Sequence, residues 1–206
     1  MKERPTLFSG SMVRAILEGR KTQTRRVINP QPEGHRDGAW RMETGAPYPI
    51  AAFCFWHDIV EEKPDEEVAC PYGAECDRLW VRETWRAIPL GGIKYRADGT
   101  ETGAHWKPSI FMPRWASRIT LEITDVRVQR VQDISTDDVI AEGVDVFSSL
   151  PVLLPRKLSG EKLDHLAHEI AVSLYKKLWD SINAKRGYGW DANPWVWAIT
   201  FKRANP

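Results

Sequence analysis

The chain has 206 residues, enough to bury the core of one large domain without a disulfide or a metal. It carries 29 Lys and Arg against 28 Asp and Glu, and the net charge of +1 argues against nucleic-acid binding driven by overall charge, leaving room only for a local basic patch. Three cysteines, an odd number, and the lack of a signal peptide or long apolar run favour a reducing compartment. We therefore expect one soluble, cytoplasmic domain over residues 1–206, with no membrane partner.

The first predicted element is a short helix near the N-terminus. Ser9 or Ser11 can cap it, and Gly19 fits its end. Its apolar side chains fall on one face at helical spacing, at Met12, Val13, Ile16 and Leu17. Residues 19–26, with the sequence GRKTQTRR, follow directly and are called the basic cluster below.

The rest of the chain alternates irregular stretches with predicted strands and helices. Residues 29–76 are rich in Pro and Gly and predict a long irregular insertion or two short hairpins. Alternating apolar positions predict strands over 77–85 and, with one change of phase, over 117–133, while 97–99 predicts a turn. A capped short helix over 135–142, a long amphipathic helix over 159–185 and a last strand over 194–201 complete the prediction. Together they indicate an α+β domain with a small, mostly antiparallel sheet or barrel.

The basic cluster lies in the most basic part of the chain. Residues 1–30 hold seven basic side chains against two acidic ones, a local excess of +5. Basic groups with the hydroxyls of Thr22 and Thr24 can hold an anion or a polar heterocycle, and nearby arginines lower the pKa of Lys21 and so favour its action as a base. The alternative is a solvated basic turn, and the spacing alone does not choose between them.

Glu142 ends the predicted short helix and precedes Gly143. The partial negative charge of a helix C-terminus disfavours an ionised carboxylate, which is typical of a proton donor. The alternative is an exposed glutamate at a helix end.

The strand at 77–85 offers a second set of candidates. In a regular strand Trp80 and Arg82 share one face, while Glu83 and Trp85 share the other. Either face could present a polar group beside an aromatic ring to a ligand, although packing is the more common use of tryptophan.

Metal chemistry and several large enzyme classes find little support. Among Cys54, His57, Cys70 and Cys76, only the first two have the short spacing of a structural zinc site, so we expect no metal. The sequence also contains no Gly-rich phosphate loop, dinucleotide fingerprint, nucleophile elbow or His-Glu-x-x-His motif.

Three stretches, in this order, resemble the ASCH family: LEGRKTQTRR at 17–26, DRLWVRE at 77–83, and the segment 134–143 that ends in Ala-Glu-Gly. The most specific parts are the Gly-x-Lys-Thr-x-Thr-x-Arg signature and the acidic short helix after a long strand. The flanking segments CPYG at 70–73, PRWASR at 113–118 and GYGWD at 187–191 are similar to a larger branch found among phage and prophage proteins.

The resemblance implies a PUA-like β-barrel with surrounding helices, a fold associated with RNA or nucleoside recognition. Small bacterial members are amidohydrolases that remove the acetyl group of N4-acetylcytidine. By their signature, Lys21 would be the proton acceptor, Thr24 the nucleophile and Glu142 the proton donor. Compared with the compact members, this chain has insertions near 29–76, 86–112 and 144–185.

We therefore expect metal-independent and cofactor-free hydrolysis of N4-acylcytosine nucleosides, which gives cytidine and a carboxylate. The alternatives are a non-catalytic RNA-binding module and an ASCH-type ribonuclease, and the oligomeric state stays open. The candidates for substrate contact are Arg20, Arg26, Trp80, Arg82 and Glu83.

Overall fold

The structure is a computed structural model that describes residues 1–32, 41–42, 52–55, 66–89, 91–99, 105–146, 148 and 161–204. Within these residues it combines helices with sheets, so the predicted α+β class is confirmed. The helices are α1 (Gly10–Leu17), α2 (Thr136–Ala141) and α3 (Glu161–Asn183), supplemented by short 3-10 turns. Among the helices of the described residues, none is both long and apolar enough to cross a membrane.

Ten strands are described, and they form three sheets within the described residues. The strands are β1 (Glu3–Leu7), β2 (Gln23–Val27), β3 (Arg41–Met42), β4 (Ala52–Phe55), β5 (Glu66–Ala69), β6 (Arg78–Arg82), β7 (Trp85–Ala87), β8 (Ile93–Tyr95), β9 (Thr120–Arg130) and β10 (Trp195–Arg203).

The largest sheet has the order β1-β6-β9-β10-β2, β3 to β5 form an antiparallel sheet, and β7 pairs with β8. The five-stranded order has two ends, so the strands described do not close into a barrel, and the PUA-like architecture stays a prediction. The antiparallel order of β3 to β5, inside the predicted insertion at 29–76, fits the two-hairpin alternative; most of that segment lies outside the described residues.

The chain divides into two compact units, each assembled from separate stretches. Unit one contains Met1–Gly19, Arg36–Val126 and Thr200–Pro206. Unit two contains Arg20–His35 and Arg127–Ile199.

In unit one, β6 is the strand predicted at 77–85. It pairs in parallel with β1, which the sequence pattern did not predict, and antiparallel with β9. Leu79 and Val81 are buried while Trp80 and Arg82 are half-buried, so the predicted alternation is confirmed. The alternation follows from the period of two residues in a strand whose one face covers a core.

The helix α1 also lies in unit one and agrees with its prediction. The Ser9 hydroxyl oxygen accepts a hydrogen bond from the Met12 amide at 3.4 Å, so Ser9 is the N-cap. Val13 and Ile16 are buried. Gly19 follows the helix with φ of 76°, a left-handed conformation that glycine adopts without strain.

The predicted strand at 117–133 corresponds to β9. Leu121 and Ile123 are buried at alternate positions, and burial then resumes at Val126, three residues later. The predicted change of phase is therefore confirmed.

In unit two, α3 packs against a core that includes α2 and the start of β10. The long helix was correctly predicted, but the side chains it buries were not. The sequence pattern pointed to Leu163, Leu166, Ile170, Leu174, Leu178 and Ile182, whereas the buried positions are Ala171, Tyr175, Trp179 and Asn183. Two large aromatic rings determine which face turns inward: the Tyr175 ring lies 6.1 Å from that of Trp190, and Trp179 Nε1 donates to the Tyr188 carbonyl at 2.8 Å.

The corrected buried face of α3 can be tested by two substitutions on the same helix. We expect Trp179→Ala to lower the free energy of unfolding by about 3–5 kcal/mol, because it leaves a cavity in the core. Ile182→Ala should change it by less than about 0.5 kcal/mol, because that side chain is 45% exposed. Urea denaturation followed by circular dichroism measures both, and equal losses would contradict the assignment.

Candidate functional site

The basic cluster is a segment that leaves a helix and enters a strand. Gly19 ends the turn after α1, Lys21 pairs with Glu142 as an isolated antiparallel bridge, and β2 begins at Gln23. The Thr22 amide donates to the Ala141 carbonyl at 2.8 Å, which holds this segment against the end of α2. The interpretation as a solvated basic turn is wrong, because Lys21 and Arg25 are 2% and 5% exposed.

Lys21 has a complete set of hydrogen-bond acceptors. Its Nζ donates to Glu142 Oε2 at 2.7 Å, to the Glu142 carbonyl at 2.8 Å and to the Gln23 carbonyl at 2.7 Å. An ammonium group has three N–H donors, and each of them has an acceptor here. The geometry therefore fits a protonated Lys21 with all three N–H groups satisfied.

Arg25 extends this contact into a larger network. Its Nη2 lies 2.7 Å from Asp138 Oδ2, and its Nη1 lies 3.3 Å from Glu142 Oε1. The side-chain amide of Gln23 connects Asp138 with Arg25. Its Nε2 donates to Asp138 Oδ1 at 3.0 Å, and its Oε1 accepts from Arg25 Nη1. We call these residues the polar cluster: Lys21, Gln23, Arg25, Asp138 and Glu142.

The polar cluster is balanced in charge and largely buried. Its two cations face two carboxylates, and the side chains of Lys21 and Arg25 are both 0% exposed. Asp138 is 16% exposed and also pairs with Arg127 at 3.3 Å. Buried charges persist when they are paired and hydrogen-bonded, as they are here.

The pKa of Lys21 is lowered, and burial is the main cause. The charge and hydrogen bond of Glu142 oppose this shift, while Arg26 and Arg25 lower the pKa by smaller amounts. The predicted direction is confirmed, but the arginines are not its main cause. Desolvation dominates because removing an ammonium from water costs more than repulsion from nearby guanidinium groups, of which Arg25 is itself ion-paired.

Glu142 lies where the sequence predicted, as the C-cap of α2, but it is buried. The alternative of an exposed glutamate at a helix end is therefore wrong. The α2 helix itself was correctly predicted: the Ser135 hydroxyl accepts from the Asp138 amide at 3.1 Å, which holds the N-terminus.

Tyr175 of α3 is a member of this region that the sequence analysis did not select. Its ring lies 6.0 Å from the Arg25 guanidinium. Burial, reinforced by the charge of Glu142, raises the pKa of Tyr175 well above its ordinary value, so the phenol stays protonated. Gln23 and Asp138 were missed as well, although the acidic first turn of α2 gave a signal for Asp138.

Thr24 is buried and lies between Gln23 and Arg25 in the sequence, but its side chain belongs to the other face of the strand. Strand alternation puts it on the opposite face of β2 from Gln23 and Arg25. In the described part of the chain, its hydroxyl has no hydrogen bond to Lys21 or Glu142. Lys21 and Glu142 are therefore brought together, and Thr24 is not.

Two candidates for substrate contact border the polar cluster. Arg20 is exposed, and its Nη1 donates to the Gly143 carbonyl at 3.3 Å. Arg26 is half-buried on β2 and close enough to Lys21 to affect its pKa.

The other three candidates, Trp80, Arg82 and Glu83, lie in unit one and contact residues of the same unit. Arg82 donates from Nε to the Met112 carbonyl at 3.1 Å, and its guanidinium lies 5.4 Å from the Trp80 ring. Glu83 is buried and accepts from Arg118 Nε at 2.8 Å and Nη2 at 3.0 Å. Burial raises the pKa of Glu83, and Arg118 opposes that shift.

The cysteines do not form a metal site in the ranges that the structure covers. No group of three or more His, Cys, Asp or Glu side chains among the described residues could hold a metal ion. Cys70 is buried, which raises the pKa of its thiol to about 11, and Cys76 is exposed. His57 lies outside the described residues.

No protein-family model, curated protein or solved structure matches this chain. The ASCH assignment therefore stays a prediction from the motifs quoted above.

The pairing of Lys21 with Glu142 predicts an asymmetry between two substitutions. Glu142→Gln leaves two buried cations with one carboxylate, so we expect a loss of about 3–5 kcal/mol in the free energy of unfolding. Lys21→Met should cost less, because Arg25 still pairs with Glu142. Urea denaturation of both, and of the double variant, measures the coupling, which should exceed about 1 kcal/mol.

A matched control is the exposed pair Lys176–Asp191, whose atoms lie 2.8 Å apart. Lys176→Met should leave the stability nearly unchanged, because exposed ion pairs contribute little. A Glu142→Gln variant as stable as Lys176→Met would contradict a buried ion pair.

Asp138 predicts a pH dependence of stability. Burial opposes ionisation, but the charge of Arg25, with bonds from Gln23 and Arg25, lowers the pKa of Asp138 below its ordinary value of 3.8. The unfolded chain then binds the proton first, so the contribution of Asp138 is complete well above pH 3.8 and is lost as the pH falls through the folded pKa. The stability difference between wild type and Asp138→Asn should shrink on acidification, and a constant difference would contradict this assignment.

Proposed function

We propose that this chain is an ASCH-family protein of PUA-like architecture that hydrolyses the N4-acyl group of N4-acetylcytidine-type nucleosides. One observation carries the proposal. Lys21 Nζ and Glu142 Oε2, from motifs 121 residues apart, lie 2.7 Å from each other in a buried environment. The family resemblance assigns proton transfer to these two residues, and amide hydrolysis requires a proton acceptor and a proton donor.

The direct contact gives each residue a route to its role. Moving one proton from Lys21 Nζ to Glu142 Oε2 converts the ion pair into a neutral amine beside a neutral carboxylic acid. In that neutral pair Lys21 can accept a proton and Glu142 can donate one. Burial favours the neutral amine, because desolvation penalises the charged form of Lys21.

The reaction then has two versions, which differ in whether Thr24 or water is the nucleophile. In the first, the Thr24 hydroxyl attacks the acyl carbonyl and loses its proton to Lys21, while Glu142 protonates the departing N4 amine of cytosine. Water then hydrolyses the Thr24 ester to release the carboxylate. In the second, Lys21 activates water, which attacks the carbonyl directly. The described geometry favours the second, because Thr24 lies on the opposite face of β2 from the polar cluster.

The test is hydrolysis of N4-acetylcytidine by the purified full chain, with cytidine quantified by liquid chromatography. We expect turnover by the wild type that a chelator does not reduce, and a loss of at least about 100-fold in kcat for Lys21→Arg, whose guanidinium keeps the charge but cannot act as a base. Lys176→Met, a surface substitution in the same unit, should retain full activity.

Thr24 variants distinguish the two versions of the reaction. Complete loss in Thr24→Ala with recovery in Thr24→Ser supports the acyl-enzyme version, and retained turnover in Thr24→Ala supports attack by water. No turnover by wild type, or full turnover by a folded Lys21→Arg variant, would exclude the proposal. Binding of RNA without any hydrolysis would then favour the RNA-binding module, and cleavage of labelled RNA would favour the ribonuclease.

A further inference from the structure

A second polar site lies in unit one, in a pocket of about 400 Å³. Glu3 of β1 and Arg78 of β6 are register partners in its lining, which also includes Thr120 at the start of β9. Its lining includes Glu3, Arg78, Arg114, Arg118 and Arg203. We call it the arginine pocket.

The arginine pocket collects four guanidinium groups against one carboxylate in its lining. Two of the four arginines are paired. Arg114 binds Glu3 through two hydrogen bonds, at 2.9 and 3.2 Å, and Arg118 binds Glu83 and Asp98. These pairs position the 3-10 turn at Arg114–Ala116 and build one wall of the pocket.

Arg78 and Arg203 differ from Arg114 and Arg118. Within the described residues, neither has a carboxylate within ion-pair distance. Both line the pocket, whose one carboxylate, Glu3, pairs with Arg114 instead. The lining therefore presents guanidinium groups that no carboxylate among the described residues pairs with, which favours an anionic ligand.

The chemistry of the lining indicates what that ligand is. Guanidinium groups bind phosphate through paired, charge-assisted hydrogen bonds. The volume of the pocket lies in the range of small-ligand sites, about 300–1,000 Å³, and exceeds what a bare phosphate needs. An aromatic surface lies beside it: the Arg114 guanidinium is 6.0 Å from the Trp80 ring, and Trp115 is 71% exposed.

We propose that the arginine pocket binds the phosphate group of a nucleotide, with Arg78 and Arg203 as its ligands and the tryptophans beside it as stacking surfaces for the base. The nucleotide is either free or part of a single strand, since both present the same phosphate chemistry. Glu3 competes with the phosphate, because its carboxylate occupies Arg114 and adds a negative charge to the lining. This site is independent of hydrolysis at Lys21.

The test is isothermal titration calorimetry of the full chain with inorganic phosphate, cytidine, cytidine 5′-monophosphate and a short oligocytidylate. We expect the phosphate-bearing ligands to bind and cytidine not to bind in this pocket. Arg78→Gln and Arg203→Gln should each weaken binding by about tenfold or more, the scale of one lost charge-assisted hydrogen bond. Glu3→Gln should strengthen it.

The matched control is Lys202→Gln, which removes the same charge one residue away on β10. Lys202 pairs with Glu122 and does not line the pocket, so its loss should leave the affinity within about twofold. Thermal unfolding of each variant checks that it is folded, which we expect for Arg78→Gln because that side chain has no ion pair among the described residues to lose.

The outcomes separate the two sources and the alternatives. Tight binding of the monophosphate identifies a free nucleotide, whereas binding of the oligonucleotide alone identifies a strand. If Lys202→Gln weakens binding as much as Arg203→Gln, the attraction is a diffuse surface effect and the proposal is overturned. Absence of binding by every phosphate-bearing ligand overturns it as well.

Discussion

The structure of unit two depends on one buried ammonium group. Taking an ammonium from water into a protein interior costs several kcal/mol unless acceptors replace its hydration, and Lys21 is fully buried. All three acceptors come from two short segments, the start of β2 and the end of α2. The ammonium therefore requires these segments to meet, and it explains why Glu142 is a C-cap that points inward. Arg25 and Asp138 form a second ion pair next to that of Lys21 and Glu142.

The same contact bears on chemistry because two protonation states of the pair differ by one short proton transfer. As an ion pair, Lys21 and Glu142 stabilise the fold. As a neutral pair, they have the acceptor and donor character that acyl transfer needs. Burial brings these states closer in free energy, because it penalises the charged form of Lys21, while the acceptors around Lys21 favour the ion pair. A site of this kind carries both a structural and a chemical requirement.

Unit one also contains a buried charge, a carboxylate, and an arginine pairs with it. Glu83 is buried and needs a cation, which Arg118 supplies while it also binds Asp98 and stacks 3.9 Å from the Tyr95 ring. Arg118 belongs to the PRWASR segment, whose Arg114 binds Glu3. Arginines near both ends of the segment thus bind residues of unit one. Arg78 and Arg203, which have no carboxylate within ion-pair distance among the described residues, line the arginine pocket.

Features that depend on a few neighbouring residues were predictable from the sequence. The N-caps of α1 and α2 follow from Ser9 and Ser135, whose hydroxyls accept from the backbone amide three residues later. The phase change in β9 follows from the spacing of its apolar side chains. The buried face of α3 was not predictable in this way. Its leucines and its aromatic residues both recur at helical spacing, and only the partners Trp190 and Tyr188 decide which stripe is covered.

By itself, the sequence therefore determined the α+β class, the helices α1 to α3, the strands β6, β9 and β10, and the identity of Lys21 and Glu142 as residues of interest. Only the tertiary structure decided that these two side chains touch, that Arg25 and Asp138 join them, and that Thr24 lies on the other face of β2. The physical reason is that a capping bond is local, whereas the free energy of a buried charge depends on groups that folding brings from 121 residues away.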